Sequence, residues 1–311
     1  MAIPTPLEQK QPYIPQGKHL VWREIKKARW PYLFISPFYF LFAIFGLYPV
    51  VFSFYLSFTE WNGLKSINYI GLENFKLLFR DQVFIQSMKN GVILFFLYVP
   101  IMTFFALVLA VILNSKRIRG FRIFRTILFI PYIMNTVAAG YTFRILLDQK
   151  YGLINLLLAN LNIPPVPWLE SVWGGRVSLC LLVFWAWLGY NMVLMLAGLQ
   201  TIPSEMIEAA LVDGANPVQA FFYITIPLMR PMILFSVVLS TMGSFNLFNE
   251  VFILTGGGGP MNATITPVVN IFNQAFVNFR LGYASAMAYI YFIIIFIFTL
   301  IQVRYFGKRV D

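Results

Sequence analysis

Polar side chains gather inside one otherwise apolar stretch of this 311-residue chain, "SVVLSTMGSFNLFNE". They are Ser236, Ser240, Thr241, Ser244, Asn246, Asn249 and Glu250. A second stretch, "WAWLGYN", supplies Trp185, Trp187, Gly189, Tyr190 and Asn191. Hydroxyls and amides both donate and accept hydrogen bonds, aromatic faces stack on C–H surfaces, and a glycine leaves room beside them. This is the chemistry of recognition. Bond-making chemistry lacks its usual groups: the one histidine, His19, sits in a polar N-terminal stretch, and the apolar stretches contain no paired carboxylates. No metal-ligand cluster is visible, and one cysteine, Cys180, allows no internal disulfide. On helical spacing Ser240, Ser244 and Phe248 share one stripe, and Asn246, Asn249 and Glu250 another. The same groups also suit hydrogen bonding between neighbouring membrane helices, so both readings stand on these residues alone.

The second unusual stretch is "EAALVDGANPVQAFFYITIPLMRP", Glu208 to Pro231. Ser204 is placed to cap a helix with Glu205 in its first turn, and Gly214 to end it in the left-handed conformation. Asn216 then caps a second helix with Pro217 at its first position, and Pro227 is expected to break it. Ala209 and Ala210 leave one face flat enough for close approach, while Glu208 and Asp213 offer polar grip.

The elements that must position these residues follow from composition. The chain is 59% apolar and only 11% charged, with mean hydropathy +0.74. A soluble domain carries roughly a quarter charged residues, so an all-α integral membrane protein is implied. A bilayer core takes roughly 20 apolar residues per helix. Six segments reach that length, at about 32–58, 91–114, 126–147, 177–199, 232–254 and 283–303. The first is long, with Pro37 and Pro49 inside it, and tilt or kinking is expected. Nothing before residue 31 has the apolar core of a cleaved signal, so this first run reads as an uncleaved span.

Six spans place both termini on one side. Fifteen of the 23 basic residues fall on that side, including the run "KRIRGFRIFR" at 116–125 and Arg230, which makes it cytoplasmic. That run reads as a topology anchor beside anionic headgroups, and no nucleic-acid partner is implied despite the net charge of +11. Residues 1–31 and 304–311 become cytoplasmic tails, and residues 200–231 a cytoplasmic loop. Ionisable residues at membrane depth are costly and usually paired. Arg144 and Glu250, near the outer ends of their spans, are therefore candidates for an ion pair with each other or with a partner; interfacial anchoring is the alternative.

The cytoplasmic loop resembles the EAA loop of binding-protein-dependent ABC importer permeases. The pattern is Glu-Ala-Ala, three residues, Gly, nine residues, Ile, any residue, Leu, Pro. Here it reads Glu208-Ala209-Ala210, Gly214, Ile224 and Pro227, with Ile226 in place of the leucine. "YIGLENF" at 69–75, "LGYNMVLMLAGLQTIP" at 188–203, "FNEVFILTGGGGP" at 248–260 and "LGYASAMAYI" at 281–290 are similar to segments of the carbohydrate-uptake branch, especially its maltose-permease-F-like members. The chain is closer to compact six-span versions than to those with extra N-terminal spans and a large periplasmic insertion.

The resemblance implies the type I ABC importer permease fold in a bacterial or archaeal inner membrane. It also implies a second homologous permease subunit, a dimeric cytoplasmic ATPase and an extracytoplasmic solute-binding protein. The loop would dock on the ATPase through Glu208, Ala209, Ala210, Asp213, Gly214, Ile224 and Pro227. The substrate path would run past Trp185, Gly189, Tyr190, Asn191, Ser240, Ser244, Asn246 and Asn249, with Arg144 and Glu250 at the outer gate. No cofactor is expected on this chain: "TGGGGP" lacks the Lys-Ser/Thr of a phosphate-binding loop, so ATP and Mg belong to the partner. A carbohydrate is the implied cargo, with glycerol-3-phosphate or another polyol the alternative. A secondary transporter fits less well, since acids and histidines are missing from the middle of the spans, and a membrane enzyme lacks its nucleophile and base.

Overall fold

Asp81 begins the longest helix of the protein by accepting from the backbone N–H groups of Val83 and Phe84, at 2.8 and 3.1 Å. A computed structural model describes residues 29–64, 66–114 and 120–306. Residues 1–28 and 307–311 of the tails, and Lys116, Arg117 and Arg119 of the basic run, thus lie outside the described residues. Contacts divide the chain into two units, at Ser53/Phe54. The first contains α1 (Arg29–Phe42), a π-helical turn (Ala43–Leu47) and most of α2 (Tyr48–Leu56). Its aromatic surface is exposed, as in Phe34 and Phe45, which suits a hydrocarbon surround.

The second unit begins with a short antiparallel pair, β1 (Thr59–Glu60) and β2 (Asn68–Tyr69), with Thr59 opposite Tyr69. Then come α3 (Glu73–Leu78), α4 (Gln82–Asn114), α5 (Phe121–Ile133), α6 (Thr136–Leu146), α7 (Leu153–Asn160) and α8 (Val172–Leu199). The hairpin helices α9 (Ser204–Val212) and α10 (Pro217–Ala220) lead through a π turn (Phe221–Thr225) into α11 (Ile226–Asn246). After it follow α12 (Asn249–Thr255), α13 (Pro267–Phe272) and α14 (Leu281–Phe306). Five helices among the described residues are long and apolar enough to cross a membrane, and α5 with α6 makes a sixth if the bent pair is one span.

The helices α4 and α8 form the spine. Leu94, Tyr98 and Met102 of α4 meet Leu179, Leu182 and Val183 of α8 in one buried cluster. Toward the hairpin, Ala106 and Ala110 meet Met192, Met195 and Leu199, joined by Met229 of α11. Phe245 of α11 is fully buried over Gly91, where an added Cβ would lie 2.4 Å from its ring.

Four local expectations need correction. The stretch 126–147 is not one helix: α5 and α6 meet at 95°. Met134 is extended, and the Asn135 side chain accepts from Val137 and Ala138 N–H, so the chain starts a new helix where an N-cap residue offers itself. Likewise 232–254 is interrupted at Leu247 and Phe248, with Thr266 Oγ1 donating to the freed Leu247 carbonyl at 2.6 Å. Pro227 does not break its helix. The π turn before it shifts the ladder so that Ile226 N–H reaches the Phe221 carbonyl, and the helix runs on from Pro217 to Asn246. Finally, Ser204 is the first residue of α9, preceded by Pro203, and no side chain caps that end.

At the end of α4 and α8 remote from the hairpin, the loop after α12 is pinned by two buried side chains. Asn90 Nδ2 donates to the carbonyls of Asn262 and Ile265, at 2.7 and 2.9 Å. Arg176 Nε donates to the Ala263 carbonyl and Nη2 to Asn90 Oδ1, while its guanidinium lies over the Trp173 ring. Replacing Asn90 with leucine strands the Asn262 and Ile265 carbonyls and one buried arginine N–H. We expect a loss of roughly 2–4 kcal/mol, read as a lower thermal midpoint of the purified protein in detergent, and a milder loss for Asn90→Gln.

Candidate functional site

Two places in the second unit bring the sequence-predicted residues together. One is a cavity of about 400 Å³ at the helix breaks. Its aromatic wall comes from α5 and α8. The rings of Tyr132 and Tyr190 stack at 4.6 Å, and Trp187 stands edge-on to both at 5.2 and 5.9 Å. Its polar wall comes from α11 and α12, with Ser240, Asn246 and Glu250, and from Asn191 and Tyr98. Asn246 is held from two sides, donating to the Met242 carbonyl at 2.9 Å and accepting from Tyr291 Oη at 2.7 Å. Ser236 Oγ donates to Asn191 Oδ1 at 2.6 Å, and Asn191 Nδ2 to the Trp187 carbonyl at 3.0 Å. Tyr98 Oη donates to the Ser240 backbone carbonyl at 3.0 Å, and both residues line the cavity.

Tyr190, Asn191, Ser240, Asn246 and Glu250 therefore line one space, and Trp185, Gly189, Ser244 and Asn249 do not. Trp185 packs on Phe143, Ser244 donates within its own helix to Thr241, and Asn249 is exposed. Gly189 faces the backbone of α5: an added Cβ would fall on the Leu128 carbonyl. Nor do Arg144 and Glu250 form an ion pair here. Arg144 donates to the Ile253 carbonyl at 3.3 Å, and Lys76–Glu73 is the ion pair seen among the described residues.

Sequence reasoning missed Tyr98, Tyr132, Met102 and Gly243 as lining residues. Tyr132 carried a signal, since it precedes the Asn135 cap that turns the chain. A larger space of about 710 Å³ lies between the β1–β2 turn and the 278–280 loop, and none of the predicted residues lines it.

The other place is the hairpin. Asp213 and Gly214 end α9, with Gly214 at φ +92° and the Ala215 N–H returning to the Ala210 carbonyl at 2.9 Å. The cap of α10 is reciprocal: Gln219 N–H donates to Asn216 Oδ1 and Asn216 N–H to Gln219 Oε1, both at 2.8 Å. Glu208, Ala209, Asp213 and Gly214 are exposed on this fixed turn, while Ala210, Ile224 and Pro227 are half-buried. Exposed apolar groups flank them, with Val212 at 87% and Tyr223 at 80%. The inner side of the hairpin faces Val111, Asn114 and Leu199, which seats it against the ends of α4 and α8.

Residues 82–311 match the model of the binding-protein-dependent transport system inner membrane component family. The chain belongs to this family. It is 32% identical over 296 residues to the arabinooligosaccharide transport system permease protein AraP of Bacillus subtilis, covering 94% of each chain. It is 35% identical to the lactose transport system permease protein LacF of Rhizobium radiobacter, over 89% of this chain and 93% of that one. Among solved structures, a bacterial ABC transporter involved in import of the acidic polysaccharide alginate superimposes with a TM-score of 0.80 at 21% identity, covering 94% of this chain and all of that one. The membrane helices and the ABC permease fold thus agree with the resemblance carried by the Glu208–Pro227 spacing.

As a family member the chain is a permease component, and Gly189 has a structural job in it. We expect Gly189→Val to force α5 off α8 and cost roughly 1–3 kcal/mol or more. The measurement is detergent thermal unfolding, with Asn249→Ala, at an exposed position, changing the midpoint little.

Proposed function

We propose that this chain is one transmembrane subunit of an ATP-driven, binding-protein-dependent importer of carbohydrates. The observation that carries the proposal is the hairpin: a doubly capped turn presenting Glu208, Ala209, Asp213 and Gly214 beside uncovered apolar groups. A rigid foot with an acidic grip and an unmet apolar surface suits docking on another protein. In this reading the docked protein is a dimeric ATPase, the hairpin faces the cytoplasm with both termini, and a second homologous permease completes the passage. ATP and Mg are handled by the ATPase. A solute-binding protein delivers cargo from the other side.

The cavity supports a carbohydrate as that cargo. A stacked aromatic wall opposite amides and a hydroxyl matches a ring with an apolar face and a rim of hydroxyls. The names of the arabinooligosaccharide and lactose permeases among the relatives agree with it. Alternating access would follow if ATPase closure displaces the foot and, with it, α11.

The test is uptake into proteoliposomes with the cognate ATPase and binding protein. Uptake is expected to need ATP and both partners. Glu208→Ala removes a charged contact worth about 1.5–3 kcal/mol, so ATPase affinity should fall roughly 10–100-fold. Gly214→Val meets no neighbour within 4 Å, yet forces a β-branched residue to φ +92°, so it should disturb docking through the turn alone. Uptake that persists without ATP, or survives deletion of the hairpin, would overturn the proposal.

A further inference from the structure

Glu250 lines the 400 Å³ cavity, and also the smaller space of about 40 Å³ behind the α5–α6 bend. No lysine or arginine lines either space. The guanidinium of Arg144 donates to the Ile253 carbonyl, and no ion pair joins it to Glu250. The remaining polar groups on the wall are neutral: Tyr98, Tyr132, Tyr190, Asn191, Ser240 and Asn246. Among the described residues, the cavity therefore presents a carboxylate with no lysine or arginine beside it.

We infer that Glu250 is a specificity determinant that admits uncharged carbohydrates and rejects those carrying carboxylate, phosphate or sulfate. This rests on the carbohydrate reading above. A carboxylate accepts hydrogen bonds from vicinal hydroxyls of a neutral sugar. An anionic sugar in the same space brings a second negative charge close to Glu250, where screening by water is weak. It also loses hydration without gaining a cationic partner from this wall. The fold does not decide the matter, because a transporter with this architecture imports an acidic polysaccharide. The discrimination resides in what lines the cavity.

The test is calorimetric binding to the purified transporter, containing both permeases and the ATPase but no solute-binding protein, so that only the membrane cavity is read. The probes are arabinotriose, lactose, trigalacturonate and fully methyl-esterified trigalacturonate; the last two differ in charge at nearly equal size. The neutral sugars and the ester are expected to bind, and the ester at least about tenfold more tightly than the acid. In Glu250→Gln that ratio should shrink to about twofold, and in Glu250→Asp it should persist. The ratio is the readout, so a general loss of affinity does not mimic it, and a thermal midpoint for each variant verifies folding. Equal binding of acid and ester by the wild type, or an unchanged ratio in Glu250→Gln, overturns the inference while leaving the carbohydrate reading intact. Failure of every sugar to bind the wild type overturns the carbohydrate reading and the inference with it.

Discussion

Hydrocarbon offers no hydrogen bonds to a peptide group, so a helix in a membrane can be broken only where protein satisfies what the break exposes. This constraint organises the second unit. At the α5–α6 bend the Asn135 side chain takes the amides of Val137 and Ala138. At the α11–α12 break Thr266 reaches the Leu247 carbonyl. Both breaks border the same cavity, with Tyr132 just before the first and Asn246 and Glu250 around the second. The breaks turn two helix ends aside and leave a polar-walled gap where apolar side chains would otherwise meet.

The loop after α12 extends the same logic. Gly256, Gly257 and Gly259 adopt left-handed backbone, and the loop leaves carbonyls that no helix ladder uses. Asn90 and Arg176, on the two spine helices, take three of them. A buried arginine without an acid is costly, and here its hydrogen bonds and its position over Trp173 offset that cost. Because the loop is tied to α4 and α8, α12 and its Glu250 are fixed relative to the aromatic wall carried by α8. The geometry of the cavity is thus set from outside it.

The helices were legible in the sequence because their apolar runs are long, and the hairpin because its caps and glycine are local signals. Gly214 and Asn216 behave as their chemistry dictates. The breaks were not legible from hydropathy, which sums over a window and passes across Met134 and Leu247 without registering that the backbone groups freed there need new partners. Helices also outrun their apolar segments: α4 begins at Gln82 and α8 at Val172, where polar turns ahead of the apolar run are held by Asp81 and Ser171. Periodicity placed Ser240 and Ser244 on one stripe, but only Ser240 meets the cavity. Which face of a helix looks inward depends on the neighbours, and a single chain of letters does not record them. Gly189 shows the same limit, since room for a ligand and room for a neighbouring backbone call for the same residue.

The relation between hairpin and cavity follows from the continuity of one helix. From Pro217 the chain runs without a break to Asn246, so a single rod carries the base of the foot at one end and part of the cavity wall at the other. At Pro227 the π turn absorbs the missing donor without a bend sharp enough to divide the rod. The rod is tied sideways at four points, by Ser236 to Asn191 of α8, by the Ser240 carbonyl to Tyr98 of α4, and by Thr241 and Asn246 to Gln302 and Tyr291 of α14. These are single hydrogen bonds, each worth about 0.5–1.5 kcal/mol, whereas parting the rod itself would break several backbone bonds in hydrocarbon. An unbroken helix from Pro217 past Ser240 to Asn246 is the mechanical property that the proposed coupling requires.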